Sequence, residues 1–144
     1  MKKIILFSLA ITVFVSLSFA QAKHVVGQKW AGGVVFIVSP DGIHGLIAET
    51  IDQGKTVWAN AKNICKMGTH SKAGKAFTNW RLPTKDELNE MYLHIFDIEG
   101  FTSGEYWSSM EDGTDRAWCE DFVDGTQSPD FKGTFKDVRA VRAF

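Results

Sequence analysis

Cysteine and proline are scarce in this chain, and long apolar runs are confined to one end. Pro occurs only at positions 40, 83 and 129, and no run of Gly, Ser or Pro marks a linker between units. No internal repeat or low-complexity tract is present, which excludes repeat and fibrous architectures. The long apolar stretch runs from Ile4 to Phe19 and follows Lys2 and Lys3. It ends on Ser18-Phe19-Ala20, the small-x-small pattern that signal peptidase needs, so residues 1–20 read as a cleaved secretory signal. The run is short for a membrane span, which takes about 20 apolar residues. No Cys follows the expected cleavage point to carry a lipid. Residues 21–144 are therefore expected to form one exported domain, free of the membrane after cleavage and located in the periplasm, at the surface or in the medium.

Neither sign of charge dominates. Without Lys2 and Lys3 the 16 basic residues become 14 against 17 acids, a formal charge of −3. That balance points to neither nucleic acid nor an anionic membrane as a partner. The distribution is more telling than the sum. From Lys55 to Lys85 there are seven basic residues (Lys55, Lys62, Lys66, Lys72, Lys75, Arg81, Lys85) and no acid, whereas Asp86 to Asp137 holds fourteen acids against Arg116, Lys132 and Lys136. The basic block contains the glycine-bearing segment Lys66 to Lys75, which includes His70, and such a surface suits an anionic polymer. A solvated face offset by the acidic half is the alternative.

The two cysteines, Cys65 and Cys119, form a disulfide candidate, since an exported chain meets an oxidising environment. Two buried thiols that never meet are the other reading. His24, His44, His70 and His94 show no paired zinc-like spacing, and no Gly-x-Ser-x-Gly elbow surrounds Ser108 or Ser109. No metal, cofactor or catalytic residue is expected. The acidic loops Glu111-Asp112-Asp115 and Glu120-Asp121-Asp124 have oxygen ligands suited to Ca²⁺, although solvated turns are the commoner explanation of such loops.

Patterning predicts an α+β chain. Val34 to Val38 is a buried-strand composition, Ser39-Pro40-Asp41-Gly42 a turn, and Gly45 to Glu49 the returning strand of a hairpin. A first helix is expected from about Val57 to Lys66, with Thr56 as N-cap. A second begins at the capping box of Thr84 and Glu87, with Pro83 ahead of it, and carries the stripe Leu88, Met91, Tyr92, Ile95, Phe96. Short strands follow over Tyr106–Ser109, Ala117–Phe122 and Val138–Phe144. Trp118 and Phe122 are expected to share one buried strand face.

Three segments carry a family resemblance: Trp80-Arg81-Leu82-Pro83-Thr84-Lys85-Asp86-Glu87-Leu88, then Tyr106-Trp107-Ser108-Ser109, then Val138 to Phe144. Together with the Gly32–Ala48 hairpin they resemble the DUF1566, or Lcl C-terminal, domain over nearly all of the chain after about residue 26. The resemblance implies a C-type-lectin-like fold whose terminal strands pair, bringing Val34–Val38 near Val138–Val141. It gives Trp80, Arg81, Pro83, Thr84, Glu87, Trp107, Trp118, Arg139 and Arg142 structural roles, with the last two arginines pairing carboxylates such as Glu87 or Glu49. The family includes an adhesin whose corresponding domain binds sulfated polysaccharides, so carbohydrate binding is implied. The Glu-Pro-Asn and Trp-Asn-Asp triplets of Ca²⁺-dependent lectins are missing.

The expected ligand contacts are Lys66, His70, Lys72 and Lys75 for charge, with Trp58 or Trp30 as a stacking surface. A structural or protein-interaction module of the cell envelope is the second reading. The third is an enzyme of the formylglycine-generating type, which shares an Arg-Leu-Pro-Thr-x-x-Glu opening but whose Arg-Gly-Gly-Ser-Trp segment and late reactive cysteines are absent here.

Overall fold

A computed structural model describes residues 21–144. The expected signal segment, residues 1–20, lies outside the described residues. The fold is α+β, with three α-helices and two sheets among these residues. The strands Lys29–Trp30 (β1), Gly33–Val38 (β2) and Gly45–Glu49 (β3) form the first sheet with Val141–Ala143 (β4), in the order β1-β2-β3-β4. The second sheet holds Lys55–Thr56 (β5), Glu105–Asp112 (β6), Arg116–Asp121 (β7), Gln127–Phe131 (β8) and Lys136–Asp137 (β9) in the order β5-β9-β6-β7-β8. All pairings are antiparallel except that of β6 with β9.

The hairpin forms where the residues predict it. Its central strand is buried on both faces, which is why Val34 to Phe36 reads as an unbroken apolar run. Val35 and Ile47 point into one cluster with Trp80, Trp107 and Val138, while Val34, Phe36 and Ala48 point into another with Leu88, Met91 and Tyr106. Gly33 has no room for a side chain, because a Cβ there would collide with the Ala48 carbonyl oxygen. The C-terminal strand differs from expectation. It is only three residues long and pairs with β3, which therefore lies between it and the Val34–Val38 strand expected to be its partner. Val138 to Ala140 is an irregular lead-in whose carbonyls still accept from Gln53 and Glu49.

The first helix, Trp58–Met67 (α1), starts one residue late and without a side-chain cap, since Val57 occupies the N-cap position. Thr56 is not available as a cap. Its backbone pairs with Lys136 in β5, and its carbonyl accepts the Trp107 indole N–H at 3.0 Å. The second helix, Lys85–Leu93 (α2), carries the full capping box of Thr84 and Glu87. It stops at His94, and a separate turn, Ile95–Ile98 (α3), follows. That break rotates the stripe, so Phe96 ends 95% exposed instead of packing with Leu88 and Met91. Trp118 and Phe122 also separate. Strand β7 ends at Asp121, and Phe122 turns into the second core cluster while Trp118 stays half-buried under the Lys85 ammonium.

Cys65 and Cys119 are free thiols, which corrects the expected disulfide. Both sit in the same buried cluster, Cys65 on α1 and Cys119 on β7. The Cys119 thiol donates to the Ser128 carbonyl at 3.1 Å. Burial pushes the Cys65 thiol up to about 12 and the Cys119 thiol upward as well, so neither is a thiolate at neutral pH. No helix of the described residues is long and apolar enough to cross a membrane.

Candidate functional site

The segment Asn79–Thr84 builds the site. Trp80 anchors it from below, 1% exposed, with its indole N–H donating to the Gly74 carbonyl at 3.0 Å. Arg81 then bridges to Val141 at the margin of the first sheet, and Leu82 and Pro83 are buried. The Pro83 carbonyl accepts from the Ser109 N–H at 2.7 Å, tying the segment to β6. The side chain of Arg81, held between these two anchors, points outward beside α1.

Across from it, α1 buries Ala61 and Cys65 and turns Lys62 and Lys66 outward. Four residues apart, the two lysines lie one above the other on the same face. Lys62, Lys66, Arg81, Leu82, Thr84 and Ser109 line a groove of about 390 Å³. Leu82 gives it an apolar patch, Thr84 and Ser109 supply hydroxyls, and three cations flank them.

The three cations are not equivalent. Arg81 is committed to Glu87 through two bonds, each 2.7 Å. The bidentate pair raises the Arg81 guanidinium further above its ordinary value. Burial alone would raise the Glu87 carboxyl, but the bonds from Arg81 and from the Thr84 N–H hold it below its usual range. Lys62 and Lys66 are different. Among the described residues the lysine ion pairs are made by Lys29, Lys55, Lys132 and Lys136, and neither groove lysine belongs to one. Two like charges a turn apart destabilise a helix slightly, by about 0.2–0.5 kcal/mol. A multivalent anion lying between them reverses that sign.

Of the four charged residues expected to contact a ligand, only Lys66 lines the groove. Lys72 and Lys75 are exposed after α1, Lys72 on the turn and Lys75 within the short 3-10 segment Gly74–Ala76, and neither lines the groove. His70 does not line the groove: it is 9% exposed and stacks on Trp80 with ring centroids 5.5 Å apart. Its Nδ1 meets the fully buried Glu49 carboxylate at 3.1 Å, so it fastens the loop to β3. Gly74 permits that closeness, since a Cβ there would strike the Glu49 carboxylate.

Trp58 offers less surface than its sequence position suggests. Its indole N–H donates to the Ser108 carbonyl at 2.8 Å, and the ammoniums of Lys62 and Lys132 stand over its ring at 5.0 and 4.9 Å. Trp30 is 46% exposed. Arg139 and Arg142 are buried and do not pair with Glu87 or the Glu49 carboxylate. Arg139 takes Asp52 at 2.7 Å and the Glu49 main-chain carbonyl at 2.8 Å, and Arg142 takes the Ala31 carbonyl. Lys62 and Ser109 were not singled out from sequence, and Arg81 was read as structural only. The i,i+4 spacing of Lys62 and Lys66 was the available signal.

A buried acid lies beneath α2. The Glu120 side chain is fully buried on β7, where one carboxyl oxygen accepts from the Gln127 amide at 2.9 Å and the other has no partner among the described residues. The same amide donates to the Lys85 carbonyl at the start of α2. Burial lifts the Glu120 carboxyl from 4.5 to about 7. A raised carboxyl makes the folded state hold a proton that the unfolded chain has lost, so stability falls as pH rises through that window. Glu120→Gln is expected to flatten this slope between pH about 4.5 and about 7, measured by urea denaturation at several pH values. An unchanged slope contradicts the assignment.

Among the described residues no group of three His, Cys, Asp or Glu side chains is arranged to hold a metal ion. The chain thus presents an α+β scaffold with a cation-lined groove between α1 and the Arg81 segment. The Lcl C-terminal domain model matches residues 27–142, and the chain belongs to that family. No curated protein matches the sequence.

Proposed function

We propose that this chain is a non-catalytic, exported binding module of C-type-lectin-like architecture that recognises anionic, above all sulfated, polysaccharide. The observation that carries the reading is the pair of ammoniums, Lys62 and Lys66, that have no carboxylate partner among the described residues and line a groove together with Arg81. Repeated sulfates or carboxylates along a sugar chain complement that spacing. Ser109 and Thr84 supply hydroxyl partners, and Leu82 an apolar patch for a ring face. Both thiols are buried and held protonated, which argues against chemistry of the formylglycine-generating type. Phe131 and Phe135, 56% and 67% exposed, favour the second reading of a protein-contact module.

The test is retention of residues 21–144 on a heparin matrix with salt elution. Wild-type protein is expected to bind and to elute earlier as salt rises. Lys62→Glu combined with Lys66→Glu is expected to weaken binding about tenfold or more. Failure to bind at low salt, with the fold intact by circular dichroism, shifts the assignment to protein contact.

A further inference from the structure

A second cavity of about 260 Å³ opens where Trp30, Ala31, Gly32 and Gly33 face Thr50 and Ala73. The turn beneath it is held in an unusual way. Ala31 has φ 43° and Gly32 φ 93°, so the backbone is left-handed at two successive positions, one of them not glycine. The carbonyl of Ala31 is gripped by Arg142 from the last strand, through Nε at 3.2 Å and a second donor of the guanidinium. Arg142 is 5% exposed, lies 3.7 Å over the Phe77 ring and forms no carboxylate ion pair among the described residues. Burying a guanidinium against carbonyls alone is costly. What that expense fixes in place is the turn carrying Trp30.

Trp30 itself is mounted for display. The His24 ring backs it at 4.6 Å and is in turn edged by Phe144 at 4.9 Å, while the indole remains 46% exposed. Around it stand the Thr50 hydroxyl and Lys29, whose partner Glu99 is an exposed contact at 3.6 Å and readily exchanged. A flat aromatic face with one hydroxyl and one cation beside it suits the apolar face of a pyranose bearing an acidic substituent. The segment from Lys66 to Ala73 runs from the cationic groove to this cavity, with Lys72 exposed along it.

We propose that Trp30 is the stacking platform of a second sugar subsite, which takes a ring of the same anionic polysaccharide that the groove holds. This rests on the glycan-binding reading above. The experiment follows the five indole N–H resonances of residues 21–144 in an ¹⁵N NMR titration with a heparin-derived tetrasaccharide, with the Trp30 signal assigned by its loss in Trp30→Phe. Trp30 is expected to shift on binding, Trp30→Ala to weaken affinity about fivefold, and Trp30→Phe to retain most of it. Binding with a stationary Trp30 signal and unchanged affinity in Trp30→Ala overturns the second subsite and leaves the groove. Absence of any shift and any binding overturns both.

Discussion

Arg139→Ala is expected to destabilise the fold by about 3–5 kcal/mol, the range for removing one partner of a buried charge pair. Arg139 is fully buried, and its donors reach four acceptors on two separate stretches of chain: the Glu49 carbonyl at 2.8 Å and Asp52 at 2.7 Å, then the Glu99 carbonyl at 3.3 Å and the Gly100 carbonyl at 2.6 Å. Its guanidinium also lies 4.1 Å over Phe101. Truncation takes the guanidinium from the Asp52 carboxylate, which keeps the Tyr106 hydroxyl at 2.8 Å, and removes the Arg139 donors from three carbonyls, of which that of Glu49 is buried. Arg139→Lys is expected to recover little, because one ammonium cannot reproduce a planar fork that spans four acceptors. Urea denaturation followed by circular dichroism checks both variants. A loss below about 1 kcal/mol for Arg139→Ala, within the range of an exposed pair, contradicts the network.

Trp80→Ala is expected to cost about as much, roughly 3–5 kcal/mol, for a different reason. The indole is 1% exposed and packs with Val35, Ile47, Cys65, Leu82 and Trp107 in the first core cluster. It also roofs the His70–Glu49 pair, with the imidazole stacked on it at 19°. Removing it opens a large void and exposes two buried ionisable groups together. Trp80→Phe keeps most of the apolar area but removes one of the two donors to the Gly74 carbonyl, the Phe77 N–H at 3.0 Å remaining, and about 0.5–1.5 kcal/mol is the expected loss. The ranking Ala far below Phe, and Phe below wild type, is the outcome to look for. Equal losses for the two variants would mean that the hydrogen bond, not packing, dominates.

Residues that speak through local rules were legible. Thr84 and Glu87 announce a helix start because the two partners of the capping box lie three positions apart in sequence, and the structure contains that box. The α+β order and the Val34–Glu49 hairpin follow from composition and turn chemistry in the same way. What escaped depends on contacts between distant segments. Thr56 looks like a cap until a strand from residue 136 claims its backbone. His70 looks like a loop ligand until Glu49, 21 positions away, takes it inward. Cys65 and Cys119 share a cluster without bonding, which export alone does not decide. The groove was half visible: the basic block from Lys55 to Lys85 held its three cations, but only folding separates Lys62, Lys66 and Arg81 from Lys72 and Lys75.

Glu87 links the fold to the proposed site. It caps α2 and orients Arg81 with the same carboxylate. The motif first read as structural therefore also forms one wall of the groove.

Calorimetric titration is the most direct test of whether the groove recognises anionic sugar by charge. Residues 21–144 are titrated with a sulfated heparin tetrasaccharide and with its desulfated counterpart, each at low and high salt. The sulfated ligand alone is expected to bind, less tightly as salt rises and about tenfold or more weakly in the Lys62→Glu, Lys66→Glu double variant. Equal, salt-independent binding of both ligands, or no binding of either, contradicts it.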